Sequence, residues 1–239
     1  MRLDVLLLPG ELDARPRPQR AAVVIDVIRA TSTIVSAFQH GVRSVLPVAS
    51  VEEARRAQSA TPDALLAGER GGQRLPGFDL GNSPREFVGD AVADRDVVLT
   101  TSNGTKTLRA VGEGRVVAIG AFLNRTAVGT WLLGRGEDAL MVCSGYEGIF
   151  SLEDAVCAGA IVDGMCGASA SLTLGDTARA CRVLWGRYAS EMPGLLRDTE
   201  WGRHIVHIGL GADLDLCAQL DVTSVVPVMA GGRIRLAGC

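Results

Sequence analysis

The stretch Ala21-Ala22-Val23-Val24-Ile25-Asp26-Val27-Ile28-Arg29-Ala30-Thr31-Ser32-Thr33 decides the fold. Five apolar residues run unbroken into an acid. A run this short and this apolar reads as a strand buried on both faces. A hydroxyl-rich junction follows, and then a helical pattern over 31–40. The same unit recurs along the chain. Strands are predicted near 2–8, 21–26, 43–48, 63–67, 96–101, 115–119 and 138–143. Helices are predicted near 31–40, 51–59, 84–92, 104–112, 125–134 and 152–165. This alternation predicts a layered α/β/α fold with a largely parallel or mixed sheet. Residues 176–220 read as a helical segment in the last third, with breaks at Pro193-Gly194 and around Gly209 to Gly211. Ser224 to Met229 and Arg233 to Leu236 are expected to return as edge strands. Residues 10–20 are expected to form a surface loop. The default is one continuous α/β domain over 1–239, with room for a helical subdomain near 170–220.

The chain has 239 residues, 47% hydrophobic and 21% charged. That excludes a disordered chain, which would lack apolar residues. Its net charge of −3 counts against a nucleic-acid partner. No apolar run approaches the roughly 20 residues of a membrane span, and Pro9-Gly10 ends the first one early. A cytoplasmic protein is therefore expected. The six cysteines form no Cys-x-x-Cys pair and read as reduced, mostly buried thiols. Lys106 is the only lysine, against 23 arginines.

In parallel α/β sheets ligands bind beyond the carboxyl ends of the strands. Four strand-to-helix junctions are unusually polar. The first is Asp26 to Thr33, where Thr31, Ser32 or Thr33 is expected to cap the helix. The second runs from Gly68-Glu69-Arg70-Gly71-Gly72 to Gly77-Phe78-Asp79-Leu80-Gly81-Asn82-Ser83-Pro84. There Ser83 and Glu86 fit a capping box. The third is Thr100-Thr101-Ser102-Asn103-Gly104-Thr105-Lys106, suited to an anion at a helix start. It lacks the spacing of a P-loop. The fourth joins Cys143 through Gly148 to Ser151-Leu152-Glu153-Asp154. Ser151 and Asp154 fit a cap, and Glu147 is a further candidate metal or supporting group. With parallel strands the four junctions share one edge of the sheet. Oxygen-only ligands suit Mg²⁺ rather than zinc. Cations and helix starts suit a strongly anionic substrate, which together is the equipment of phosphoryl chemistry.

Other patterns carry less. Cys181 and Arg187 have the spacing of cysteine phosphatases, but the residues between them are bulky and helical. Asp213-Leu214-Asp215 approaches an aspartyl-phosphatase motif and fails at Cys217. His204 and His207 lack a clear third metal ligand. Gly209-Leu210-Gly211 lacks the third glycine of a dinucleotide fingerprint. With only three histidines, a Ser-His-Asp triad is not expected.

The ordered set D-V-I-R-A-T-S-T (26–33), G-E-R-G-G (68–72) with G-F-D-L-G-N-S-P (77–84), T-T-S-N-G-T (100–105) and S-L-E-D-A-V-C-A-G (151–159) resembles the 2-phosphosulfolactate phosphatase family. The resemblance covers about residues 20–230. Where the third motif of that family often carries a third threonine, this chain keeps the hydroxyl as Ser102. The resemblance implies Mg²⁺-dependent hydrolysis of 2-phospho-3-sulfolactate to sulfolactate and phosphate, a step in coenzyme M biosynthesis. The alternative is a non-catalytic binder of a small anionic metabolite.

The expected site follows. Asp26 and Glu69 hold Mg²⁺, with Glu153 or Asp154 assisting. Asp26, Glu69, Arg29 and Lys106 form the catalytic set. Arg29, Arg70 and Lys106 meet the anion, with Thr31, Ser32, Thr33, Asn82, Ser83, Thr101, Asn103, Gly104 and Thr105 lining the rest; Arg85 is a lesser candidate. Water is the expected nucleophile, with Asp26 or Cys143 as alternatives. The expected partner is a small phosphorylated anion, with a homo-oligomer left open and neither nucleic acid nor membrane.

Overall fold

The structure is a computed structural model and describes residues 1–14, 21–113 and 115–238. The expected loop at 10–20 is partly a 3-10 turn, Pro9–Ala14; residues 15–20 lie outside the described residues.

β2 (Ala21–Ile25) is buried along its whole length. Ala21, Val23 and Ile25 enter one apolar cluster, and Ala22 and Val24 another. Alternate residues of a strand face opposite ways, so this strand is covered on both sides. β8 (Ala139–Cys143) repeats the pattern: Ala139, Met141 and Cys143 join the first cluster, Leu140 and Val142 the second. The first cluster is closed by α4 (Arg125–Arg135), α5 (Leu152–Ala168) and α6 (Asp176–Tyr188). Leu195, Leu196, Ile205 and Leu214 join it from α7 (Met192–Asp198), α8 (Glu200–His207) and α9 (Ala212–Cys217). The second is closed by α1 (Ala30–Gln39) and α3 (Gly104–Gly112). A smaller cluster lies under α2 (Val51–Ala60), where Ala54 meets Leu66 of β4 (Leu65–Arg70) and Val98 of β6 (Asp96–Thr100). The layered α/β architecture is thus present.

The remaining strands are β1 (Arg2–Leu6), β3 (Ser44–Pro47), β5 (Gln73–Arg74), β7 (Val116–Gly120), β9 (Thr173–Leu174), β10 (Pro227–Ala230) and β11 (Arg233–Leu236). Among the described residues they form one mixed sheet of eleven strands, ordered β5-β4-β6-β3-β11-β10-β7-β2-β8-β1-β9. β4, β6 and β3 are mutually parallel, as are β7, β2, β8, β1 and β9.

Three expectations are corrected. First, β10 and β11 are not edge strands. They form an antiparallel hairpin in the middle of the sheet, between β7 and β3. Gly231 and Gly232, at φ +59° and +79°, make its two-residue turn. Met229 and Ile234 bury themselves in the second cluster, so the hairpin has apolar cargo that an edge would leave wet. The edges go instead to two-residue strands, which offer little backbone for stray pairing. Second, 84–92 is not one helix but two 3-10 turns, Pro84–Glu86 and Gly89–Ala91. Gly89 sits at φ +68°, a conformation that ends a right-handed helix. Third, Pro193 does not break a helix. It lies in the first turn of α7, where a missing N–H costs nothing.

The hairpin also changes how the junctions meet. Three successive antiparallel pairings separate β3 from β7, so the two parallel groups run in opposite formal directions. The junctions after β2 and β6 therefore do not share a sheet edge. Five steps separate these strands, and a twist of roughly 20–25° per step turns one direction through more than about 100° relative to the other. α1 and α3 share one apolar cluster with strand residues from both groups. The junctions of the two groups nonetheless meet, as the Glu147–Asn103 bond and the approach of Gly104 to Asp26 show.

No helix among the described residues is long and apolar enough to cross a membrane.

Candidate active site

Asp26 lies just past β2, almost fully buried. None of the three following hydroxyls caps α1 with its side chain. The helix starts at Ala30, with Arg29 in the cap position and no side-chain cap bond. Asp26 Oδ1 accepts the Ala30 N–H at 3.2 Å. Thr31 Oγ1 accepts the Asp26 N–H at 3.0 Å and donates to the Asp26 carbonyl at 2.9 Å. Ser32 Oγ donates to the Val27 carbonyl, and Thr33 Oγ1 to the Asn82 carbonyl. All three side chains are wholly buried. They are turned back on the main chain because each buried carbonyl needs a donor, and so they shape the loop. The Ile28–Arg29 peptide within it is cis.

Asp26 Oδ2 meets α3 from the other half of the sheet. A Cβ on Gly104 would stand 2.6 Å from this oxygen and 2.6 Å from Ala30 Cβ. Only glycine permits that approach. Glu69, at the end of β4, reaches the same place. Its Oε1 accepts the Ser102 N–H at 2.7 Å and its Oε2 the Gly72 N–H at 2.8 Å. Asp154, in the first turn of α5, does not cap its own helix. Oδ1 accepts the Val27 N–H at 2.8 Å and Oδ2 the Gly145 N–H at 3.2 Å. It thereby ties the β2 and β8 junctions together. Glu153 is buried beside it.

These acids press on one another. Burial is the main cause that raises the Asp26 carboxyl to about 7, and the charges of Glu69 and Glu153 add to it. The Ala30 N–H and Arg29 oppose the rise. Burial, Asp26 and Glu153 together push Asp154 well above the usual carboxylate range. Burial also raises Glu153, against hydrogen bonds from Ser151 and Thr199. A cluster of buried acids in this state lacks positive charge. Its donors are all hard oxygens, and the residues therefore fit Mg²⁺. Among the described residues no three Asp, Glu, His or Cys side chains are grouped to hold a metal by themselves. Mg²⁺ asks for only one or two carboxylates and keeps waters for the rest, so Asp26 with Glu69 would suffice.

The expected cations divide. The Arg29 guanidinium is buried against Asp213, Nη1 to Oδ2 at 2.7 Å, and donates from Nη2 to the Gly72 carbonyl. Arg70 donates to the Glu69 carbonyl at 2.6 Å and to Thr100 Oγ1 at 3.1 Å. Lys106 is exposed on the wall of a cleft of about 430 Å³. Ser102, Asn103, Ser144 and Glu147 line the same cleft, together with Leu8, Pro9 and Gly10. Asn103 Oδ1 accepts the Glu147 N–H at 3.2 Å, which joins the third and fourth junctions. Thr101 and Thr105 bond each other reciprocally behind this wall, N–H to Oγ1 in both directions. Ser83 donates to Asp213 Oδ1 at 2.7 Å and accepts from the Arg85 N–H at 3.3 Å. Glu86, expected to return to Ser83, accepts the Gly81 N–H instead.

Some participants are not on the expected roll. Asp213 is the buried counter-charge of Arg29; its sequence neighbourhood suggests only a failed motif. Tyr146, Trp201 and His204 stack in series, with centroids 4.4 and 4.5 Å apart. His204 Nε2 lies 3.1 Å from the Gly71 carbonyl. Ser144 Oγ is a buried polar atom without a hydrogen-bond partner among the described residues, as is Oδ1 of Asn82, which the sequence does single out. A buried unmatched hydroxyl is costly, and Ser144 lines the cleft. No local sequence pattern marks it.

Comparison with known proteins gives one consistent answer. A family model described as 2-phosphosulpholactate phosphatase matches residues 6–232. A protein of Symbiobacterium thermophilum is 39% identical over 91% of this chain and 94% of its own length. One of Clostridium acetobutylicum is 32% identical over 98% of this chain and the whole of its own. One of Parasynechococcus marenigrum is 40% identical over 95% and 96%. All three carry the name "Probable 2-phosphosulfolactate phosphatase".

Proposed function

Because the chain belongs to the 2-phosphosulpholactate phosphatase family, we propose that it hydrolyses 2-phospho-3-sulfolactate to sulfolactate and phosphate, as in coenzyme M biosynthesis, with Mg²⁺ as cofactor. One observation supports the reading most: the four polar junctions converge on a single buried acid cluster beside an open cleft.

The substrate carries a phosphate, a sulfonate and a carboxylate. Lys106 and Asn103, at the start of α3, face it from the cleft wall. Free N–H groups at a helix start favour such an anion. Asp26 and Glu69 would hold the Mg²⁺. When bound, that ion neutralises phosphoryl oxygens and makes water more acidic. The hydrogen bonds to Ala30, Gly72 and Ser102 hold both carboxylates in fixed directions. Asp154 fixes the two loops that flank them. Hydrolysis forms a bond from a water oxygen to phosphorus and breaks the ester bond to sulfolactate, whose oxygen takes up a proton.

Water, rather than Cys143, is the nucleophile in this reading. Burial and the nearby Asp154 push the Cys143 thiol well above its ordinary range. A thiol in that state holds no thiolate at neutral pH. Its side chain also belongs to the first apolar cluster, within the core.

The test is phosphate release from a panel of phosphorylated acids by EDTA-treated protein, with Mg²⁺ added back. Turnover of 2-phospho-3-sulfolactate that needs Mg²⁺ is expected. No turnover of any substrate would favour the anion-binding alternative.

A further inference from the structure

The turn after β4 is built from two glycines in the left-handed region, Gly71 at φ +57° and Gly72 at +85°. They form the two-residue turn of the β4–β5 hairpin, closed by the antiparallel pairing of Arg70 with Gln73 and Glu69 with Arg74. The Gly72 N–H is what holds Glu69 Oε2, at 2.8 Å. That hairpin has only two residues on its β5 side, and further contacts hold the turn from outside. Arg29 Nη2 donates to the Gly72 carbonyl. Arg29 Nη1 is itself held by Asp213 Oδ2 at 2.7 Å, and Ser83 holds the other oxygen of that carboxylate at 2.7 Å. Ile205 and Ile208 close against the Gly72 Cα; their side-chain ends lie 3.1 and 2.7 Å from where a Cβ would stand. His204 meets the Gly71 carbonyl. Helices α8 and α9 thus clamp a turn some 130 residues earlier in the chain.

We propose that the Arg29–Asp213 pair is a positioning device for Glu69, acting through Gly72. Arg29 is then not a group that meets the substrate. Stability alone gives little reason for such a pair. Replacing a buried ion pair by apolar residues of similar volume is often neutral or stabilising. What the apolar residues cannot do is donate to the Gly72 carbonyl. Ser83 belongs to the same device, since it orients Asp213. The inference rests on the reading of Glu69 as part of the phosphatase site.

The deciding variant is the double substitution Arg29→Met/Asp213→Leu, compared with the wild type by kinetics, thermal melting and crystallography. Expected is a folded protein whose Tm stays near that of the wild type. Its kcat should fall by about 10- to 100-fold, the usual cost of losing a group that orients a site ligand. KM should change little, because the pair's hydrogen bonds go to the Gly72 carbonyl and Ser83 and not to the cleft wall on α3. In the crystal, Glu69 should have left the Gly72 N–H. A folded double variant with wild-type kcat and the Glu69–Gly72 bond intact would overturn the proposal. Should the double variant not fold, Ser83→Ala keeps both charges and frees one Asp213 oxygen. A several-fold fall in kcat at constant KM is then expected, and an unchanged kcat overturns the proposal. Absence of turnover in the wild type would sink the phosphatase reading instead. The position of Glu69 in the variant crystal would still decide the positioning role.

Discussion

Asp26→Asn should stabilise the metal-free protein while abolishing its activity. A carboxyl held at about 7 in the fold, against about 3.9 in an unfolded chain, carries a ceiling of about 4 kcal/mol against its charged form. Glu69 and Glu153 contribute to that rise, and they relax when one charge is removed. A gain of about 1–3 kcal/mol is therefore expected once Asp26 would be ionised. The sign follows from linkage. The folded protein binds this proton more tightly than the unfolded chain, so the contribution is whole below about pH 4 and is lost as pH rises through about 7. Asn does not titrate. Its Oδ1 can still accept the Ala30 N–H, so the local geometry has its partner. In a chain of this length 1 kcal/mol moves Tm by about 2–4 °C. The variant should thus melt several degrees above the wild type at pH 8 in EDTA, with a much smaller gap at pH 5. Circular dichroism melts at both pH values provide the measurement. A variant less stable than the wild type at pH 8, or a gap that ignores pH, would refute the account of Asp26 as a carboxylate buried against its neighbours' charge.

Lys106→Ala should raise KM about tenfold or more, as expected when a cation loses its ionic contact with a substrate, and leave Tm unchanged because the side chain is exposed; steady-state kinetics will show it, and unchanged KM and kcat would make Lys106 a bystander. Cys143→Ser should retain most of its turnover, since the thiol is held protonated. Loss of nearly all activity with fold and Mg²⁺ response intact would put sulfur in the chemistry. Gly104→Ala should both destabilise and inactivate, because its Cβ would meet Asp26 Oδ2 and Ala30 Cβ at 2.6 Å; a Tm loss of several degrees is expected from about 1–3 kcal/mol of overpacking, and a wild-type melt would contradict the tight approach.

The strands were legible because burial on both faces demands unbroken apolar runs, and Ala21 to Ile25 and Ala139 to Cys143 obey that demand locally. The acids at the strand ends were legible for a related reason: a carboxylate such as Asp26 or Glu69 beside a core is conspicuous. Their convergence is a different matter. Linear order does not say that β10 and β11 enter the middle of the sheet, because a hairpin's place depends on which apolar face is left open by distant strands. It also does not say that the two parallel groups run in opposite formal directions and still bring their junctions into contact. Side-chain direction escaped the sequence as well. Thr31, Ser32 and Thr33 form a donor-rich string, but buried carbonyls in their own loops and at Asn82 claim those hydroxyls. Arg29 is likewise claimed by Asp213, 184 positions away. Composition and spacing determine which groups are available and at which junctions, since those follow from local burial and backbone propensity. Which group faces the cleft and which is spent holding another was decided only by tertiary packing, because a buried donor or acceptor takes whatever partner the assembled fold brings within about 3 Å.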